Sequence, residues 1–140
     1  VSAVIVFGDI ELAALVWAKA QGFGAQVGFA VPNKTPPLPF LQVTLISEVP
    51  QFGDTPLVNS RIQFSCWAKV NDKATAMGLA RAVATAAHLM SPFTTETPQG
   101  ATTLHGANVD QTLWIPEPDS ALARATVDVI FTATTSSEEG

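Results

Sequence analysis

The stretch Leu57-Val-Asn-Ser-Arg-Ile-Gln-Phe-Ser-Cys-Trp-Ala-Lys-Val70 decides the fold. Ile62, Phe64, Cys66 and Ala68 alternate with Arg61, Gln63, Ser65, Trp67 and Lys69. A period of two places the first set on one side of a strand and the second on the other, so this is a central strand with one buried side. It runs directly into Asn71-Asp72, either of which caps a helix extending to about Met90, where Pro92 follows. Leu79, Val83, Ala86, Ala87 and Met90 form the apolar stripe of that helix. Its many alanines allow close approach to a sheet.

Outward from this pair the other elements fall into place. Asp9 to Gln21 has a helical pattern, with Ile10, Ala13, Ala14, Trp17 and Ala20 on one face, Asp9 as N-cap and Gly22 as the stop. Ala25 to Val31 alternates as a strand that Pro32 closes, and Phe40 to Ile46 is a second strand. Between them, Asn33 to Pro39 holds three prolines and reads as a loop or arm. Glu48 to Pro56 reads as another long loop, and Phe93 to Gly100 as a polar linker. Weaker strand signals lie at Thr102 to Ala107 and Gln111 to Ile115, with a turn at Pro116 and Pro118. Leu122 to Thr132 is a last alternating strand, followed by a frayed tail from Thr134 to Gly140. Residues Val1 to Gly8 are an N-terminal arm or a further strand.

The expected architecture is one α+β domain over residues 1–140: a mostly antiparallel sheet, two main helices on one face and long projecting loops. With 140 residues the chain is long enough for a single core.

Composition narrows the function. Charged residues are 14% of the chain against roughly 25% in an average soluble domain, hydrophobic residues are 47%, and mean hydropathy is +0.28. A surface this short of charge points to burial against other copies or partners. The net charge of −5 and singly scattered Lys and Arg exclude a phosphate-gripping patch. One cysteine excludes an internal disulfide framework and a cysteine metal cluster. The apolar run Val1 to Phe7 is too short for a membrane span and lacks the basic start of a signal peptide.

Catalytic chemistry finds no foothold. His88 reads as a helix-end residue and His105 matches no metal or triad spacing. Cys66 reads as a small buried hydrophobe. Glu117 and Asp119 flank Pro118 as two solvated acids of a turn. Gly22, Gly24 and Gly28 follow a helix and precede a strand, the reverse of the dinucleotide-binding order. Trp17 and Trp114 read as core or interface anchors, whereas Trp67 alternates onto the polar side of its strand and is either covered there or exposed at an assembly contact. The reading is therefore of a protein that is not an enzyme and has no cofactor or metal.

The arrangement resembles the tail terminator (tail completion) proteins of long-tailed bacteriophages. The resemblance is carried by the Asp9-Ile10-Glu11 helix opening, the Val27 to Pro32 strand, Pro39-Phe40-Leu41-Gln42-Val43 after a proline-rich loop, and Ser60 to Ala68 leading into a helix with Ala74, Leu79, Ala80 and Val83. A turn over Trp114-Ile115-Pro116-Glu117-Pro118-Asp119 and a strand beginning near Arg124 complete it, so it spans most of Asp9 to Phe131. It implies a homohexameric ring in the virion tail, assembled in the host cytoplasm, that caps the tail tube, stops its polymerisation and meets the head–tail connector. DNA would pass through without specific binding, which an acidic channel favours by repelling phosphates. The candidate assembly-interface residues are Lys34, Phe52, Asp54, Arg61, Trp67, Trp114 and Arg124. Deleting Glu48 to Thr55 is expected to leave a folded subunit unable to join tails.

Two alternatives remain at this level. A connector, stopper or minor tail-tube ring protein uses similar subunits, and a tube subunit would polymerise on its own. A small-ligand-binding or enzymatic α+β domain would bring convergent polar groups to a pocket.

Overall fold

The computed structural model describes residues 9–30, 38–51, 57–98, 100–115 and 122–135. The order is α1 (Ile10–Gln21), β1 (Gln26–Gly28), β2 (Phe40–Gln51), β3 (Leu57–Lys69), α2 (Lys73–His88), β4 (Phe93–Thr97), β5 (Gly100–Ile115) and β6 (Leu122–Thr135). The six strands form one curled sheet in the order β1-β2-β3-β6-β5-β4, antiparallel except for the β1–β2 pair. The α+β expectation is met, with β3 and β6 central.

Both helices are ended by their own sequence. The Asp9 carboxylate accepts a hydrogen bond from the Leu12 N–H at 2.9 Å, and Gly22 takes the left-handed conformation (φ 67°) that closes α1. Asp72, the second of the two capping candidates, accepts from the Thr75 N–H at 3.1 Å. The hydroxyl and N–H of Thr75 hold the Asp72 carboxyl below the usual carboxylate range.

The core lies between the sheet and the helices. Ile62, Phe64 and Cys66 of β3 stand beside Val129, Val127 and Ala125 of β6, and Leu41 and Val43 of β2 continue the layer. Trp17 of α1 is the central wedge, with its ring centroid 6.0 Å from Phe64 and 5.6 Å from Phe131. α1 touches both outer strands, β1 and β4, so the sheet curls around it, while α2 covers β3, β6 and β5. Ala76, Ala80, Val83 and Ala87 are the buried small residues of α2, as its alanine-rich sequence suggests.

Several expectations are corrected. Glu48 to Gln51 is strand, paired with Ser60 to Leu57, so the loop expected over Glu48 to Pro56 shrinks to residues 52–56, which lie outside the described residues. Pro50 is tolerated because β1 borders β2 only as far as Gln42, leaving no ladder for the proline to interrupt on the outer side among the described residues. Phe93 to Thr97 is an edge strand where a linker was expected. The two weak strand signals after it belong to the single strand β5, whose bulges at Leu104/Gly106 and Val109/Gln111 break the alternation. β1 is three residues long where Ala25 to Val31 was expected, and β6 extends through Thr135 into the expected tail. The expected arms over 1–8 and 33–37, the turn at 116–119 and the end of the tail, 136–140, lie outside the described residues.

Candidate functional site

The helices cover one side of the sheet, and the other side is the candidate site. Its residues are the alternate members of the same strands: Gln42 and Ser47 on β2, Arg61, Gln63, Ser65 and Trp67 on β3, and Arg124, Thr126, Asp128 and Ile130 on β6. β-Bulges modify the pattern. One sits between Leu45 and Ser47 and turns Ile46 outward, half exposed; another places Asp110 beside Gln111 on the same side of β5.

Two charged clusters lie on this face. The Arg61 guanidinium donates to Asp110 at 2.7 Å and lies 3.5 Å from Asp128. The hydrogen bond to Asp110, with the charges of both carboxylates, raises the Arg61 pKa further and keeps the guanidinium charged. Asp128 also accepts from Gln63 and Gln111, each at 3.4 Å. Two rows along, the Arg124 guanidinium stacks 5.0 Å from the Trp67 ring centroid and donates to Ser65 at 3.2 Å. The Trp67 indole N–H donates to Gln42 at 3.1 Å.

Between the Arg61 cluster and the strand ends lies a shallow hollow of about 400 Å³, bordered by Val49, Asn59, Arg61, Asn108, Ile130 and Thr132. It exists because the row Val49–Asn59–Thr132 ends on Gly106, which has no side chain to fill it. Asn59 and Thr132 hydrogen-bond each other at 3.0 Å, so the floor is already satisfied. Exposed Ile46, Val49 and Leu113 give this face apolar surface among its uncharged polar groups.

The structure therefore brings Arg61, Trp67 and Arg124 onto one surface and leaves Trp114 off it. Trp114 stands beside Ala125 on the helix side, half-buried, with the Lys73 ammonium 5.3 Å from its ring. Lys34, Phe52 and Asp54 lie outside the described residues, as do Glu117 and Asp119. Sequence reasoning missed Asp110 and Asp128, the partners of Arg61. The alternation of β6 put Asp128 on the polar side, but nothing in the sequence set the register that carries it to Arg61.

No alternative chemistry assembles elsewhere among the described residues. Burial pushes the Cys66 thiol up to about 12, which leaves it protonated and inert at neutral pH. His105 bonds the Thr134 hydroxyl at 2.6 Å, and His88 is exposed in the last turn of α2. No group of three or more His, Cys, Asp or Glu placed to hold a metal occurs among the described residues. Glu11 is used structurally, accepting the Leu45 N–H at 2.6 Å and so tying α1 to β2. Partial burial, then the nearby Asp9 and Glu11 charges, raise the Glu48 pKa. No described helix is long and apolar enough to cross a membrane. Comparison with protein-family models and with curated proteins finds no match.

Proposed function

We propose that this chain is a tail terminator subunit that closes into a ring on the end of a phage tail tube, stops its polymerisation and presents its other side to the head–tail connector. The observation that supports this best is the uncovered side of the sheet. It is a wide surface whose arginines are held by neighbouring carboxylate, hydroxyl and aromatic groups and whose other groups are mostly uncharged or apolar, which suits burial against another protein better than lasting exposure. The low charge content of the chain then has a cause, because each ring subunit buries surface at two contacts. The net charge of −5 fits a channel that lets DNA slide without holding it. The hollow does not favour a small-ligand site: it is shallow and open, and its floor is already hydrogen-bonded.

The test is the native mass of the purified protein across concentration, with electron microscopy of the same samples. A single closed ring of 14.7 kDa subunits, hexameric by the resemblance, supports the proposal. Long open tubes would assign the chain to the tube itself, and single copies at every concentration would overturn a self-closing ring.

A further inference from the structure

The ring reading leaves open which surface of the next copy meets the uncovered sheet face, and the outer side of α2 answers in shape and charge. We infer that the uncovered sheet face of one copy receives the outer face of α2 from its neighbour, with Arg81 directed at the Asp110–Asp128 cluster; this rests on the ring reading above. The sheet face is one negative charge in excess at that end, since Asp110 and Asp128 share the single guanidinium of Arg61 and Asp110 remains exposed. It thus takes a cation. On α2, Arg81 is exposed and has no ion pair among the described residues.

The surroundings of Arg81 fit a flat partner. Ala74, Gly78, Ala82 and Thr85 are exposed beside it, so the outward face of this helix is almost free of the charged side chains that a solvent-facing helix normally carries. Gly78 is the telling residue. Glycine in a helix interior is unfavourable, and a Cβ added at this position would meet nothing within 4 Å in this chain, so packing inside the subunit gives no reason for it. Close approach of a second copy does. The long Arg81 side chain would reach the exposed carboxylate of Asp110 at the rim of the hollow, and the small residues around it would let the helix settle on the strands.

The two surfaces lie on opposite sides of the subunit, because α2 occupies the face of the sheet that the site does not. Docking one on the other is heterologous, the kind of contact that generates rings when the rotation closes.

The experiment uses the full chain in two single-substitution forms, Gly78→Cys and Asn108→Cys, with Ser47→Cys as a second sheet-side variant; native Cys66 is buried and does not interfere. Under mild oxidation, a mixture of the helix and sheet variants is expected to give a disulfide between the two, while each variant alone gives none. In parallel, Arg81→Glu is expected to raise the concentration of half-assembly by about tenfold or more without changing the thermal midpoint of the subunit. A ring by native mass with no mixed disulfide from either sheet-side variant, or with Gly78–Gly78 cross-links in its place, overturns this contact and leaves the ring reading standing. Single copies at every concentration overturn both. An assembly indifferent to Arg81→Glu overturns the role given to that charge.

Discussion

The two sides of the sheet are built from the same strands and have opposite fates. On β3, Ile62, Phe64 and Cys66 are fully buried under the helices, while Arg61, Gln63 and Trp67, one residue out of step, keep partial contact with solvent. On the covered side the side chains interlock with α1 and α2, and on the other they bond mainly along and across the strands. Stability therefore resides on one side, and the capacity to meet a partner on the other. Phe64→Ala is expected to cost about 3–5 kcal/mol, because it removes one ring of the cluster that Phe64 forms with Trp17 and Phe131. Trp67→Ala, measured in the same urea titration on the unassembled subunit, should cost well under half of that. Equal losses would mean that the outer side is as firmly packed as the core.

Much of this division is legible in the sequence. Strict alternation in β3 and β6 identifies the buried set, and it also places Arg61, Trp67 and Arg124 together on the opposite side. Where strict alternation fails, so does the reading. The bulges in β5 make one strand look like two, and Thr-rich β4 looks like a linker because it carries only one large apolar side chain, Phe93. Pro50 imitates the end of a strand because its tolerance depends on being at a border, a fact of topology. The ion pairs are illegible for a similar reason. Arg61 and Asp110 are 49 residues apart, and the register that unites them is set by the packing of the whole sheet.

A buried polar residue on the covered side, Ser60, bears on the same contrast. Ser60 is fully buried, and its hydroxyl has no hydrogen-bond partner. An unsatisfied buried hydroxyl is a net cost, so Ser60→Ala is expected to stabilise the subunit by about 1 kcal/mol in the same titration. A loss of stability would show that the hydroxyl is bonded in solution and that the core at the Glu48 end of the sheet is wetter than described.

Gly78→Ala isolates the outer side of α2. Within one subunit the added methyl group touches nothing, and the helix gains from the loss of glycine's freedom in the unfolded chain. The unassembled subunit should become more stable by about 0.5–1 kcal/mol. If Gly78 is there for a neighbour, this stabilised variant should also assemble less readily. Stability and assembly rising together would return the glycine to accident.

The smallest effect expected is at Glu48, where three carboxyl groups from α1 and β2 come near one another. The folded-state pKa of Glu48 is raised, by partial burial first and by Asp9 and Glu11 next. For an acid shifted in this direction the folded protein holds its proton more tightly than the unfolded chain does. The ionised group therefore subtracts from stability above the raised value, and this deficit disappears as pH falls below the ordinary carboxylate range. Glu48→Gln should raise the thermal midpoint slightly at neutral pH and leave it unchanged in acid. A cation brought to Glu48 by a partner would remove the advantage at neutral pH, so comparing the single subunit with the assembled form asks whether this end of β2 is also covered. A gain confined to the single subunit would carry the contact surface past Ser47 and Val49 to Glu48 on the helix side of β2, and a gain of equal size in both forms would restrict it to the uncovered side of the sheet.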